Sequence, residues 1–351
     1  MMALALNARF LSQDLTGVQR FGLEIARALA AQRPLVVLAP PDARAEPGLD
    51  VRRVGRLRGQ AWEQLDLPRH LAGAVLVNPG NTAPLALRRQ VVVIHDAAAF
   101  AVPGSYGWRF RAWYRGLHRA LAWRGVRIAT VSAHARGEIA RHLHLDPADV
   151  AVVGEGAEHI LRAPADAGLL SRLGLQRPYV LAVGSLAPHK NLAALGATAA
   201  LLAGRGMELV LTGGLDARVF AAAGLPTQAR AIGRVDDAGL RALYEGAACF
   251  VFPSLHEGFG LPAVEAMACG CPVVAARATA LPEVCGDAAL LADPTNPADI
   301  AAAVASVLDD PALATRLRAA GRTRAAGFTW HAAAARLAAV ADAAGRDRKP
   351  A

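Results

Sequence analysis

Glu257 opens a glycine-rich loop, and Glu265 follows eight residues later inside the helix that the loop enters. Gly258 and Gly260 permit backbone conformations closed to other residues, and they let a ligand touch the main chain. A helix predicted from Leu261 begins with unpaired N–H groups and the positive end of its dipole, which together favour an anion. Because carboxylates accept hydrogen bonds from hydroxyls, the spacing predicts a phosphate site between two hydroxyl-bearing groups. A nucleotide sugar has this chemistry.

The loop also matches the loose dinucleotide-binding pattern Gly-x-Gly-x-x-Ala over residues 258–263. That pattern requires an acidic residue at the end of the next strand, where this chain has Arg277. The loop also lies late in the chain, where a cofactor domain rarely begins. Dinucleotide binding is therefore the disfavoured alternative.

A second candidate phosphate contact follows the apolar stretch 179–183, where Gly184-Ser185 and then Lys190 precede a predicted helix. A glycine turn with a hydroxyl and an ammonium group can bind a diphosphate. The chain has only one other lysine, Lys349, whereas its remaining basic residues are arginines. We therefore predict a diphosphate contact at Lys190, with Ser185 beside it; the alternative is a solvated charge.

His95-Asp96 comes directly after the apolar stretch 91–94. Such a fully apolar strand is typical of a parallel sheet covered on both faces. Ligands of these sheets gather at the carboxyl ends of the strands, which is where His95 falls. A structural histidine is the alternative, and Asp96 is expected to orient the loop.

The elements that would position these residues alternate between strands and helices, which predicts an α/β fold with two doubly wound parallel sheets. An Ala-, Pro- and Gly-rich stretch at 155–178 divides the chain. The predicted strands are 3–6, 34–38, 74–77, 91–94, 128–131 and 150–153, then 179–183, 208–212, 229–232, 249–253 and 272–276. Helices are predicted at 18–31, 133 onward, 236–247, 261–269, 297–309, 311–326 and 330–344.

The length and composition of the chain predict its number of domains, its relation to membranes and the state of its cysteines. The 351 residues suggest two domains. We expect no signal peptide and no membrane span, because the chain lacks a charged leader and a run of about 18 apolar residues. The four cysteines, which lack zinc or thioredoxin spacing, are expected to be buried free thiols, as in a reducing cytoplasm: Cys249, Cys269, Cys271 and Cys285.

The formal net charge of +9 and the pI of about 10.2 suggest a polyanionic partner. No nucleic-acid-binding module accompanies the charge, so we expect no nucleic-acid partner. The segment 105–124 instead interleaves arginines with aromatic residues, and no acidic residue occurs between Asp96 and Glu138. A helix here would have one face with Phe110, Trp113, Leu117 and Leu121 and another with Arg111, Arg115, His118 and Arg119. Such a helix could lie on an anionic membrane; the alternative is a core-packed helix with a solvated basic face.

The stretch 249–276 resembles the Glu-x7-Glu signature of the family-4 retaining glycosyltransferases, which have the GT-B fold. The resemblance extends over nearly the whole chain. It implies two Rossmann-like domains facing across a cleft: residues 1–158 on the acceptor side, completed by the helix 330–344, and residues 159–329 on the nucleotide-sugar side.

The resemblance also implies residue roles. Glu257 would contact the donor hexose, and Glu265 the ribose hydroxyls. The backbone amides that meet the sugar and diphosphate would belong to the loop 258–261, that is, Gly258, Phe259, Gly260 and Leu261. Arg234 and Val235 would line the base pocket.

In the first half, the turn 15–21 resembles the family's loop over the donor phosphates, which makes Gly17 a candidate contact. A plain strand-to-helix turn is the alternative there. His95 would lie near the transferred sugar. The chain departs from the family at Gly154-Glu155-Gly156, where an Asn-Gly is usual, and at Ser185 and His189, where many relatives carry arginine.

The function implied is retaining transfer of a hexose from a nucleotide diphosphate sugar to a hydroxyl of a glycan or lipid-linked acceptor in cell-surface polysaccharide synthesis. The catalytic residues would be Glu257, His95 and Lys190. The resemblance to polysaccharide and O-antigen mannosyltransferases makes GDP-mannose the first choice of donor and UDP-sugars the next. Because the chain contains no Asp-x-Asp pair, we expect no metal. We also expect no cofactor, with the nucleotide sugar as co-substrate.

Two alternatives remain, an epimerase or hydrolase of nucleotide sugars and a non-catalytic nucleotide-sugar-binding protein. The expected location is the cytoplasm, with peripheral contact at the inner face of the membrane through 105–124.

Overall fold

The computed structural model describes residues 3–105, 107–214 and 226–346. Residue 106 of the basic aromatic segment therefore lies outside the described residues. Tertiary contacts divide the chain into two compact units, one comprising the chain up to Gly156 together with the part from Thr329 on, the other Ala157–Phe328.

The first unit contains a parallel sheet of seven strands in the order β3-β2-β1-β4-β5-β6-β7. Its central strands are buried because their residues are apolar; Val91, Val92 and Val93 have no exposed surface. The edge strand β3 was not predicted, because two of its three residues are arginines. The strands are β1 (Leu4–Asn7), β2 (Leu35–Ala39), β3 (Val51–Arg53), β4 (Val75–Asn78), β5 (Gln90–Val93), β6 (Arg127–Thr130) and β7 (Val150–Val152).

The second unit contains a parallel sheet of six strands in the order β10-β9-β8-β11-β12-β13. The strands are β8 (Tyr179–Val183), β9 (Glu208–Thr212), β10 (Ala229–Ala231), β11 (Cys249–Phe252), β12 (Val273–Ala276) and β13 (Ala289–Ala292). In each unit the strand order reverses beside the first strand of the unit, which is the doubly wound pattern. The prediction of two doubly wound parallel-sheet domains is confirmed.

Helices cover the sheets. Single helical turns occur at Gly59–Ala61, Ala98–Ala101, Leu169–Arg172 and Leu281–Cys285. The longer helices are α1 (Gly17–Gln32), α2 (Trp108–Trp123), α3 (Ala133–Leu143), α4 (Gly196–Gly204), α5 (Asp237–Gly246), α6 (Leu261–Ala268), α7 (Pro297–Asp309), α8 (Pro311–Ala326) and α9 (Trp330–Arg346).

The last helix, α9, packs in the first unit against α1 and the strands β4, β5 and β6. Trp330 is 1% exposed, and its ring meets that of Phe21 at 5.8 Å. Arg33 forms two hydrogen bonds of 3.0 Å with the Asp342 carboxylate. The first domain is therefore built from both ends of the chain.

The predicted faces of α2 are wrong at His118. This residue is buried with Leu117 and Leu121, and its Nε2 lies 2.8 Å from the carbonyl oxygen of Asn81. Phe110 and Trp113 are exposed, which contradicts the alternative of a core-packed face at these two positions. A helical wheel shows which side chains share a face but not how far the underlying core extends.

All four cysteines are buried free thiols, as predicted, and burial raises the pKa of the Cys249 thiol to about 12. Among the described residues, none of the helices combines the length and the apolarity that crossing a membrane requires.

Candidate active site

The loop between β11 and α6 adopts a conformation that only glycine accommodates at Gly260, where φ is +97°. A Cβ at this position would lie 2.4 Å from Cδ2 of Leu281. The helix α6 therefore begins directly at Leu261, with Pro262 in its first turn. Pro262 has no N–H and the N–H of Ala263 donates to the carbonyl oxygen of Gly260 at 2.9 Å, so an anion here would meet the N–H of Leu261 and the positive end of the helix dipole.

The two apolar side chains of this loop, Phe259 and Leu261, are buried. Phe259 is 4% exposed, and its ring meets that of Phe328 edge to face at 5.3 Å. Leu261 is 7% exposed and Gly258 is buried. Phe259 and Leu261, two of the residues predicted to donate backbone amides, therefore direct their side chains into the core of the second unit.

The structure brings the predicted sugar ligand and the predicted phosphate ligand into contact. The ammonium Nζ of Lys190 lies 2.7 Å from Oε1 of Glu257. Both side chains retain some exposure, 22% for Lys190 and 11% for Glu257. The backbone N–H of Glu257 donates to the hydroxyl of Thr279 at 3.0 Å, which fixes the base of the side chain.

Lys190 does not precede a long helix directly. It ends the short 3-10 turn Pro188–Lys190, and α4 begins only at Gly196. Asn191 adopts the left-handed conformation, with φ of 56°, and its amide donates to the carbonyl oxygens of Pro253 and Pro294. These two hydrogen bonds hold the turn that carries Lys190 beside the end of β11.

The ends of β8 and β9 approach each other closely. A Cβ on Gly213 would lie 2.1 Å from the carbonyl oxygen of Gly184, so only glycine fits there. Ser185 is exposed next to this contact, and Arg234 is exposed with its guanidinium beside Gly214. Val235 follows Arg234 and precedes Asp236, the N-cap of α5. The predicted base and diphosphate residues thus share the carboxyl-end edge of this sheet.

Glu265 lies one turn inside α6 and is 6% exposed. Its Oε1 lies 2.9 Å from Nε2 of His159, and its Oε2 accepts a 3.2 Å hydrogen bond from the hydroxyl of Tyr244. Burial raises the pKa of Tyr244 well above its usual value, and the neighbouring charge of Glu265 adds to the effect. Tyr244 therefore remains a neutral donor.

Two predicted residues belong to the first unit. His95 is 6% exposed after β5, with Nε2 2.8 Å from the carbonyl oxygen of Pro79 and Nδ1 3.5 Å from Oε1 of Glu155. The ring of Phe21 packs edge-on against His95 at 4.6 Å between centroids. Gly17 is the exposed first residue of α1, and nothing lies within 4 Å of where its Cβ would be.

The turn at Gly154 keeps a glycine conformation, with φ of +76°. The next residue, Glu155, is 6% exposed and faces His95 where the family usually has asparagine. Asp96 orients the loop as predicted, because its Oδ1 accepts from the backbone N–H of Ala98 at 2.8 Å.

Sequence reasoning missed His159, Tyr244 and Thr279 as neighbours of the two glutamates. His159 lies in a segment interpreted only as a crossing between domains, and Tyr244 lies on the apolar face of an ordinary helix. Asn191 did carry a signal, because an Asn after a Lys at a turn suits the left-handed conformation.

No cluster of three or more His, Cys, Asp or Glu side chains that could hold a metal ion occurs within residues 3–105, 107–214 and 226–346.

Comparisons with known proteins relate this chain to glycosyltransferases. The family model described as "Glycosyl transferases group 1" matches residues 171–324. The O-antigen chain mannosyltransferase B of Escherichia coli is 31% identical over 90% of this chain and 93% of its own. The structure of WaaG, a glycosyltransferase involved in lipopolysaccharide biosynthesis, has a TM-score of 0.74 at 17% identity and covers 98% of this chain and 99% of its own.

The Anabaena protein HepE, solved in complex with UDP and glucose, also has a TM-score of 0.74 at 17% identity, over 97% of this chain and 98% of its own. These structures share the GT-B fold with this chain. Because its likeness to the Escherichia coli enzyme runs almost end to end and the family model matches the region that holds the paired glutamates, the chain belongs to the group 1 glycosyl transferases and is a glycosyltransferase.

Proposed function

We propose that this enzyme transfers a mannosyl group from GDP-mannose to a hydroxyl of a glycan or lipid-linked acceptor in cell-surface polysaccharide synthesis, with retention of the anomeric configuration. The observation that carries the proposal is the contact of Lys190 with Glu257 at the start of α6. The similarity to an O-antigen mannosyltransferase supports mannose. UDP-sugars are the second choice of donor.

Lys190 and Glu257 would have different roles in the reaction. An ammonium group has three N–H donors, so Lys190 can keep Glu257 and still bind the diphosphate. Lys190, together with backbone N–H groups of the loop 258–261 that leads into α6, would stabilise the charge that develops on the leaving diphosphate. Glu257 would then position the hexose; its other possible role is that of a covalent nucleophile.

A thermal-shift screen against GDP-, UDP- and dTDP-sugars tests the donor. A ligand at one hundred times its dissociation constant should stabilise the protein by about 2.7 kcal/mol. We expect GDP-mannose to do so with the wild type and not with Lys190→Ala. Stabilisation by none of these sugars would contradict the proposal.

Turnover of labelled GDP-mannose separates transfer from the alternatives. Transfer places the label on an acceptor glycan, hydrolysis releases free mannose, and epimerisation changes the sugar of the nucleotide. A binding protein would be stabilised by the donor and leave it intact.

The proposed reaction needs no divalent metal, because Lys190 and the start of α6 supply positive potential at the diphosphate. The absence of an Asp-x-Asp pair from the sequence supports this proposal. Transfer should persist in EDTA. Activity abolished by EDTA and restored by Mn²⁺ would overturn metal independence without affecting the assignment of the donor.

We also propose that α2 docks on an anionic membrane, which would bring a lipid-linked acceptor to the enzyme. Its aromatic side chains are unusually exposed: Trp108 by 68%, Phe110 by 41%, Trp113 by 42% and Trp123 by 86%. The arginines of this helix and its flanks complement an anionic surface, where each contributes about 1 kcal/mol. Two of them are partly engaged already, because Arg115 and Arg119 stack over Phe100.

Co-sedimentation with phosphatidylglycerol-containing vesicles at low salt tests the docking. We expect binding by the wild type and loss of binding when Arg109, Arg119 and Arg127, all exposed, are changed to Glu. The matched control changes three other exposed arginines of the first domain, Arg56, Arg88 and Arg89. Equal loss in both triple variants, or no binding by the wild type, would contradict the proposal.

A further inference from the structure

Glu265 combines deep burial with two internal hydrogen bonds. Its side chain is 8% exposed, and an isolated buried carboxylate would be costly to maintain. His159, whose side chain is 1% exposed, faces one oxygen, and Tyr244, which is fully buried, faces the other. The carboxylate is thus held from two sides by groups that solvent hardly reaches.

The two donors come from separate elements. His159 belongs to the short 3-10 turn Glu158–Leu161, which contacts both α5 and α6, and Tyr244 belongs to α5. Edge-to-face packing of the Tyr244 ring on Phe250, with centroids 5.4 Å apart, fixes the position of its hydroxyl. A carboxylate held from two elements has little freedom to rotate.

The Glu265 carboxylate has acceptor sites left for a ligand. A carboxylate offers about four lone-pair sites, two on each oxygen. One site on each oxygen of Glu265 is occupied, by His159 and by Tyr244. One site on each oxygen therefore remains, which matches a pair of neighbouring hydroxyls such as the 2′ and 3′ hydroxyls of a ribose.

We propose that His159 and Tyr244 are positioning residues that orient the Glu265 carboxylate so that each oxygen receives one ribose hydroxyl of the donor nucleotide. The inference rests on the proposed nucleotide-sugar donor and adds the residues that set its preference for ribose. A merely structural role for the two residues would weaken the binding of every nucleotide alike, whereas a positioning role weakens only the binding that depends on the ribose hydroxyls.

The test compares the dissociation constants of GDP and 2′,3′-dideoxy-GDP by calorimetry, with UDP and 2′,3′-dideoxy-UDP as a second pair. For the wild type we expect the ribose form to bind at least about tenfold more tightly, because hydrogen bonds to charged groups are strong. In Tyr244→Phe and His159→Leu this ratio should fall severalfold, while the affinity for the dideoxy nucleotide stays within about twofold. His159→Gln, whose amide can donate, should restore part of the ratio.

Tyr179→Phe is the matched control. Tyr179 is 2% exposed in the same domain, and its hydroxyl donates to the carbonyl oxygen of Leu243 at 2.8 Å rather than to Glu265. Its removal should leave the ratio unchanged. Thermal unfolding identifies any variant that does not fold, and the nearly isosteric Tyr244→Phe is then sufficient on its own.

Different results of this binding test would contradict the proposed donor and the positioning role of His159 and Tyr244. If the wild type binds neither ribose nucleotide, the proposed donor is wrong and the inference falls with it. If the wild type prefers ribose but Tyr244→Phe keeps the full ratio, or loses affinity for both forms equally, the donor assignment stands and the positioning role is wrong. A wild type that binds both forms equally would also overturn the positioning role.

Discussion

At the scale of single residues, Glu257 and Glu265 have different surroundings although one loop and one helical turn connect them. Glu257 is partly exposed beside Lys190, whereas Glu265 is buried between His159 and Tyr244. A carboxylate paired with one partly exposed ammonium group can exchange partners when a substrate arrives. A buried carboxylate with two fixed donors is suited to recognising one geometry.

This difference predicts separate effects of the two alanine substitutions. Glu265→Ala should weaken the binding of the free nucleoside diphosphate by about 1.5–3 kcal/mol, since charged hydrogen bonds are lost. Glu257→Ala should abolish turnover but keep or tighten diphosphate binding, because Lys190 no longer has a competing anion. Calorimetry with GDP and a turnover assay measure the two effects. Equal loss of GDP affinity in both variants would contradict the division of roles.

At the scale of elements, Gly17, which begins α1, and Gly260, which directly precedes α6, differ in why glycine is needed. Gly260 has a positive φ and no room for a Cβ, so Gly260→Ala should destabilise the protein by about 1–3 kcal/mol. Gly17 has open space at its Cβ, so Gly17→Ala should leave stability within about 0.5 kcal/mol.

If a donor phosphate binds directly against Gly17, a methyl group there would obstruct it, and Gly17→Ala should lower activity at least about tenfold. Chemical denaturation and a transfer assay on the two variants measure both properties. Full activity in Gly17→Ala would show that the turn at α1 is a plain strand-to-helix turn.

The packing of α2 makes the stability of the first domain depend on pH. Burial lowers the pKa of His118 below its ordinary value of 6.5, so the folded state disfavours the proton. The contribution of neutral His118 is fully present above pH 6.5 and is lost progressively as the pH falls towards the lowered folded pKa, because the unfolded chain binds the proton first. His142, whose pKa is also lowered by burial, acts in the same direction.

His118→Gln should therefore reduce the loss of stability between pH 7.5 and pH 5.5, since the amide can donate to the Asn81 carbonyl oxygen without titrating. Urea denaturation at the two pH values measures the slope. His144→Asn is the control, because His144 is exposed and its left-handed backbone, with φ of 55°, tolerates Asn. If His118→Gln loses as much unfolding free energy between pH 7.5 and pH 5.5 as the wild type, His118 is not the cause of the pH dependence.

At the scale of the whole molecule, the first domain depends on the last helix. Removing the segment from Thr329 on would expose the buried face of α1, including Phe21, and would break the contacts of Arg33 with Asp342. We expect residues 157–328 to fold alone, residues 1–156 to aggregate, and a fusion of 1–156 to 329–351 to fold. Circular dichroism and thermal unfolding of the three fragments measure this. Cooperative unfolding of 1–156 alone would contradict the expectation.

The substitution Trp330→Ala tests the same dependence in the full chain. Removing this buried ring should cost about 3–5 kcal/mol and lower the unfolding temperature of the first domain. The second domain, to which Trp330 does not belong, should unfold as in the wild type.

The sequence by itself determined most of the elements and the outline of the site. Apolar runs marked the central strands of both sheets, because strands buried on both faces can hold few polar residues. The glycines around Glu257 marked the loop, because backbone geometry is set locally. The edge strand β3 was missed because its pattern is polar and short.

Tertiary structure alone decided which side chains meet. His159 and Tyr244 lie 106 and 21 residues from Glu265 along the chain, and their contacts with it depend on how α5, α6 and the turn at 158–161 pack. The burial of His118 likewise depends on where the core beneath α2 ends. Local patterns record the neighbours of a residue along the chain, whereas the partners of a buried carboxylate are fixed by packing between distant elements.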